Sequence, residues 1–150
     1  MTAVPRTARV AVAALNQTVG DWTGNQARIE AVLGEARERG VKLVVLPELC
    51  ISGYSLGDRL LRHGTLLRSW RSLLALRPAT RGLVAVVGLP IRHRDTLYNA
   101  CAVVADGRIV GLVAKENLAT GDVQYENRWY GAWPGDRQET WTAPEGDVQL

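Results

Sequence analysis

Glu48, Lys115 and Glu126 are the residues of this sequence whose types and surroundings could do chemistry. Glu48 stands in the stretch LVVLPELCISGY, directly behind an apolar, β-branched run from Val41 to Leu46. Pro47 cannot donate to a ladder and Gly53 permits a sharp change of direction, so Glu48 should be held at the rim of a sheet. That is where α/β proteins keep chemistry. A carboxylate fixed beside apolar walls has its charged form disfavoured, which raises its pKa towards the range useful for a general base. Lys115 ends the run IVGLVA, where an ammonium could donate to a developing oxyanion. Glu126, in VQYENRWYGAW, lies among Tyr125, Trp129, Tyr130 and Trp133, and aromatic walls again raise a carboxyl pKa. Taken singly, each also has a plainer reading. Glu48 can be a solvated loop residue, Lys115 a strand-end lysine in water, and Glu126 the salt-bridge partner of Arg128.

A thiolate set between a glutamate and a lysine would make an amidase, so the two cysteines are weighed as nucleophiles. Cys101 falls mid-strand in YNACAVV and reads as an inert small hydrophobe with a raised pKa. Cys50 follows Glu48 by two residues and could approach its carboxylate, but no nearby cation in the sequence would stabilise its thiolate. Neither sits in a Cys-x-x-Cys or Cys/His spacing, so no metal or redox site is read here. His63 and His93 lack a metal-ligand partner and are expected to be solvated.

The elements that must position these residues follow from periodicity. Residues Ala8 to Leu15 read as a first strand. A helix follows, capped by Asp21 or Thr23, with Ile29, Val32, Leu33 and Ala36 on one face and Gly40 as its stop. Strand Val41 to Leu46 completes a βαβ unit, whose two strands should be parallel. A second helical pattern runs from Asp58 to Leu76, with Leu60, Leu67, Trp70 and Leu74 as its stripe and Trp70 as core. Strands are predicted over Leu83 to Leu89, closed by Pro90, then over Leu97 to Val104 and Ile109 to Ala114. Asp106-Gly107 between the last two is the strongest hairpin signal in the chain. Beyond Lys115 no period survives, and a loop of that length inside a compact domain is normally functional.

Composition narrows the class. The chain has 150 residues, the size of one domain, of which 47% are apolar and 22% charged, the balance of a soluble globular protein, and its βαβ opening makes that domain α/β. Lys and Arg exceed Asp and Glu by three (18 against 15) without forming a basic block, which argues against a nucleic-acid partner. No stretch reaches the roughly 20 apolar residues of a membrane span, and MTAVPRTARV lacks the apolar core of a signal peptide. A cytoplasmic protein without a membrane partner is expected.

Together the segments ALNQTVGDWTGNQARI, LPELCISGY, VVGLPIRHRDTLYNACAVVADGRIVGLVAKENLA and YENRWYGAW resemble the nitrilase superfamily of carbon-nitrogen hydrolases. YENRWYGAW is similar in particular to the N-terminal glutaminase domain of glutamine-dependent NAD synthetases. The resemblance implies an αββα sandwich, of which residues 1–150 would be the N-terminal part. It implies that Glu48 is the general base, Lys115 the oxyanion-stabilising lysine, Glu126 a second glutamate supporting them, and Tyr54 an aromatic lining the glutamine pocket. Acyl transfer follows: a thiolate attacks the glutamine side-chain amide, ammonia leaves, and water releases glutamate.

The family's nucleophilic cysteine comes a few tens of residues after the Arg-Trp segment, and the chain reaches Leu150 without one. The resemblance therefore implies a partial domain, inactive by itself, lacking the later strands and the synthetase domain that would use ATP and magnesium. No cofactor is expected within these residues. Glutamine, the synthetase domain and, at full length, further copies of the protein are the implied partners. Another carbon-nitrogen hydrolase fragment, an amidase or carbamoylase, is the alternative of the same class. A non-catalytic binding module is the alternative of another.

Overall fold

The computed structural model describes residues 7–121 and 123–144. Residues 1–6, Asp122 and residues 145–150 lie outside the described part, and with them the start of the stretch read for a signal peptide and the C-terminal end of the long loop. The chain order is β1 (Val10–Val12), α1 (Trp22–Glu38), β2 (Leu43–Val45), a 3-10 turn (Gly57–Leu61), α2 (His63–Leu76), a second 3-10 turn (Arg77–Thr80), β3 (Val84–His93), β4 (Thr96–Ala105), β5 (Arg108–Ala114) and a third 3-10 turn (Glu126–Arg128). The strands form one sheet in the order β1-β2-β3-β4-β5. β1, β2 and β3 run parallel, and β3-β4-β5 is an antiparallel meander.

Helix α1 forms where periodicity places it. The Asp21 side chain accepts from the Gly24 N–H at 3.0 Å, Ile29, Leu33 and Ala36 are buried with Val32 packed beside them, and Gly40 follows at φ 67°. The second helical pattern breaks in two. A 3-10 turn precedes α2, and the buried face of α2 is Leu66, Trp70, Leu73 and Leu76, so Leu67 and Leu74 are only partly covered. Trp70 is core, with its ring 4.8 Å from that of Trp141 in an edge contact. β1 and β2 are shorter than the apolar runs that contain them. Pro90 does not close β3, which continues to His93. β2 ends its pairing at Val86, so Pro90 lies past β2 and costs no ladder bond there. The Asp106-Gly107 hairpin is as expected, with φ of 49° and 79°, as a two-residue primed turn requires.

The two faces of the sheet differ. Val44, Ala85, Val87, Leu89, Ala102 and Val104 point into the core with α1 and α2. On the other face the register aligns Val10 and Val12 with Leu43, Val45, Val84, Val86 and Val103. On that face Val10, Val12 and Val113 stay 62%, 84% and 59% exposed, whereas its end at Leu97 and Asn99 is buried, Leu97 against Leu49, Leu60 and Tyr130.

Candidate active site

Glu48 is carried by a turn that crosses the end of the sheet. Pro47, Glu48 and Leu49 pass directly over Gly88 of β3, where an added Cβ would stand 2.4 Å from the Leu49 nitrogen and 2.7 Å from the Pro47 oxygen. Ile51 N–H donates to the Gly88 carbonyl at 3.3 Å, and Leu49, a non-glycine, takes φ 50°. Such strain persists only where surroundings over-determine it. From the far side, the fully buried Asn25 of α1 donates to the Ile51 carbonyl at 3.1 Å, and Gln17 donates to that of Cys50 at 2.5 Å. Gly53, at φ 76°, packs on Val19 where a side chain would collide with backbone. Lys115 is fixed by the continuing β4-β5 ladder, its N–H donating to the Asn99 carbonyl at 2.8 Å. Glu126 opens a 3-10 turn, and its N–H donates to the Ala119 carbonyl at 3.1 Å.

These segments bring all four residues singled out in the sequence to one place. The Lys115 ammonium lies between two carboxylates, 2.9 Å from Glu48 Oε1 and 2.9 Å from Glu126 Oε2. Tyr54 donates its hydroxyl to Glu126 Oε1 at 3.1 Å. The same oxygen accepts from the Asn99 amide at 3.1 Å, and Asn99 also donates to Glu48 Oε1. Both the Lys115 and the Asn99 bonds of Glu48 fall on Oε1. The Glu48 and Lys115 side chains stay 41% and 30% exposed and that of Glu126 only 5%, so the first two face the opening and the third backs them.

The electrostatics depart from the sequence expectation at Glu126. Burial pushes the Glu126 carboxyl up, but the Ala119 N–H at 2.7 Å, the Lys115 ammonium and its other partners outweigh it and bring the value to about 2. Tyr125, Trp129 and Tyr130 do line the same cleft, but the donors decide its charge, and its cation is Lys115. Arg128 pairs instead with Asp58 at 3.5 Å and stacks over the Trp129 ring. Glu48 bonds the Lys115 ammonium and the Asn99 amide. Partial burial pulls the Lys115 ammonium down, yet its two carboxylates win and hold it above the ordinary lysine value. Burial, then the hydrogen bond to Glu126, raises the Tyr54 phenol.

Neither cysteine joins the cluster. Cys50 is buried with its thiol towards the Gly88 carbonyl at 3.6 Å, and burial pushes its pKa up to about 12. Cys101 is half-buried on β4, also raised by burial, with backbone amides and none of the cluster's charges as the opposing causes. His63 is exposed as expected, but His93 is not solvated. Its Nε2 lies 2.7 Å from Glu139 Oε2, which Arg94 also approaches, while Arg137 meets Glu139 Oε1.

Asn99 and Tyr130 were not singled out from the sequence. Asn99 is buried in β4, and an asparagine inside the apolar run YNACAVV was the available signal, since strands are poor in Asn. Tyr130 is buried with its hydroxyl unpartnered, and after burial the nearby charges of Glu126 and Glu48 raise its pKa. No local signal distinguished it from its aromatic neighbours.

A family model described as carbon-nitrogen hydrolase matches residues 9–147. The chain belongs to that family. Within it the chain is similar to the glutamine-dependent NAD synthetase of Xanthomonas campestris, at 39% identity over 129 residues, which span 85% of this chain and 23% of that protein. The synthetase of Drosophila melanogaster is 36% identical over 85% of this chain and 16% of its own length. The chain thus spans less than a quarter of either relative. Among solved structures, a glutamine-dependent NAD synthetase from Cytophaga hutchinsonii superposes with TM-score 0.90 at 33% identity, over 95% of this chain and 24% of that one. An amidase from Nesterenkonia superposes with TM-score 0.70 at 20% identity, over 87% and 49%, a likeness of fold alone. The mixed α/β architecture is that of the nitrilase fold.

Proposed function

We propose that the chain is part of the glutaminase domain of a glutamine-dependent NAD synthetase and helps release ammonia from glutamine for the amidation of nicotinic acid adenine dinucleotide. The observation that carries this reading is the Lys115 ammonium clasped between Glu48 and Glu126 beside Tyr54, in a chain 36–39% identical to such synthetases. Glu48 keeps one oxygen free to take a thiol proton. Lys115, its charge secured by both carboxylates, donates to the oxyanion that forms when a thiolate adds to the amide carbon. Glu126, ionised and backed by the Ala119 N–H, holds Lys115 and does not itself exchange protons. Tyr54 closes one wall of the glutamine pocket.

The thiolate comes from neither Cys50 nor Cys101, so these 150 residues by themselves should not turn glutamine over. Asn99 and Lys115 lie on the same face of the sheet as Cys101 and Val113, in register beyond them, and a thiol would approach from that side. A synthetase domain is the covalent partner this reading requires, ATP and magnesium serve that domain's step, and assembly with further copies belongs to the whole protein.

Two experiments test this. The 150-residue chain incubated with glutamine should release no ammonia above buffer. Release that disappeared in Cys50→Ala or Cys101→Ala would overturn the dismissal of those thiols. In the full product of the gene, Glu48→Gln and Lys115→Met should each abolish glutamine-driven activity, with a few kcal/mol added to the barrier, while ammonia-driven synthesis of NAD survives. Near-normal glutamine rates in either variant would show that the roles are misassigned. Hydrolysis of a carbamoyl or short aliphatic amide in preference to glutamine would favour the amidase reading.

A further inference from the structure

We propose that Asn99 is the positioning residue of this site, its carboxamide nitrogen tying Glu48 and Glu126 together so that both carboxylates face one ammonium and Glu48 keeps a free oxygen. Asn99 is 3% exposed and sits at the middle of the cluster. Its nitrogen donates to Glu48 Oε1 and, at 3.1 Å, to Glu126 Oε1, while its own carbonyl accepts the Lys115 N–H at 2.8 Å. One residue thereby fixes the three groups, each of which arrives from a different segment.

The physical need is plain. Two carboxylates held by one ammonium repel each other, and a neutral double donor between them offsets that repulsion without adding a charge that would compete with Lys115. A lysine or arginine at position 99 would neutralise the very carboxylate that must take a proton. Glu48 uses Oε1 for both its Asn99 and its Lys115 bond, which leaves Oε2 for the proton. Without the amide, Glu48 is free to turn both oxygens onto Lys115 or to swing into water. The ionisable residues bonded to Asn99 are Glu48, Glu126 and, through its backbone, Lys115, while Tyr54 bonds Glu126 and Tyr130 feels the charges of both carboxylates.

This rests on the reading of Glu48 and Lys115 as the reacting pair, but its test uses no turnover, so either can fail alone. Asn99→Asp keeps the shape and replaces the donor by a third carboxylate. Asn99→Leu keeps the volume and removes the bonds. Between two carboxylates an aspartate is pushed to protonate in mildly acid solution, and once protonated it can donate again. Thermal melting from about pH 4 to pH 8 should therefore show the Asp variant well below wild type at neutral pH, with the gap closing on acidification, and the Leu variant displaced by a near-constant amount.

If the Asp variant shows no transition at neutral pH, recovery on acidification supports the proposal and failure at every pH overturns it. An Asp gap that ignores pH overturns it as well. Lys42 and Lys115 are the only lysines, so acylation followed by mass spectrometry gives a second measurement with an internal control. Lys115 should label more slowly than the exposed Lys42 in wild type and several-fold faster in Asn99→Leu, with Lys42 unchanged. Equal Lys115 rates in wild type and variant would overturn the proposal. A Lys115 as reactive as Lys42 in wild type would remove the ion cluster on which both it and the proposed reaction depend.

Discussion

Glu126 is a carboxylate that burial alone would neutralise, and four donors keep it ionised: the Ala119 N–H, the Lys115 ammonium, the Tyr54 hydroxyl and the Asn99 amide. Its folded value of about 2 lies below the ordinary 4.5, so its stabilising contribution is complete above the ordinary value and fades as pH falls towards the folded one. Lys115 behaves in the opposite sense. Its folded value is raised, so its contribution is complete below the ordinary lysine value and is lost as pH rises through the folded one. Glu126→Gln should therefore lower the melting temperature most above about pH 5, and progressively less towards pH 2. Melting wild type and variant side by side across that range checks this. A gap of constant size would mean that Glu126 does not enter the folded cluster as an anion.

At the scale of the element, the site depends on one strand lacking a side chain. Gly88 lets the backbone of Pro47, Glu48 and Leu49 lie on β3, and the strained φ of Leu49 shows how closely that turn is dictated. Gly88→Ala would put a methyl group against backbone atoms on a turn that Ile51 and Asn25 also hold, leaving nothing flexible to yield. A destabilisation of about 1–3 kcal/mol, typical of overpacking, is expected, with Glu48 displaced from Lys115. Denaturant unfolding of the variant measures the first effect. The Lys115 acylation rate measures the second, and a variant with wild-type stability and wild-type protection would show that the turn has room to lift.

At the scale of the whole molecule, the sheet is half clothed. Helices α1 and α2 bury one face, while Val10, Val12, Val110 and Val113 lie exposed with a continuous run of aliphatic residues between β1 and β5 on the other. Contiguous apolar surface of this kind is rare on a soluble monomer. Prepared as 150 residues, the chain should associate with rising concentration, and Val12→Lys together with Val113→Lys should reduce that association without disturbing the opposite core. Light scattering and size exclusion over a concentration series check this. A wild-type chain that stays monomeric at high concentration would show that the face tolerates water.

The sequence by itself determined the parts governed by neighbours a few residues away. The βαβ opening, the Asp21 cap, the buried stripe of α1 and the Asp106-Gly107 hairpin follow from periodicity, capping and turn chemistry, which act locally. The motif residues Glu48, Tyr54, Lys115 and Glu126 were legible as well, because their segments carry a family's pattern. Only the tertiary structure decided what those residues feel. The aromatic neighbours of Glu126 do line its cleft, yet its charge is set by a lysine from the end of β5, a tyrosine from the strand-end loop and an asparagine from β4, all brought to it by the fold. The same holds for His93, whose partner Glu139 lies 46 residues on. Charge acts through space, so the ionisation of a site depends on which segments the fold brings together.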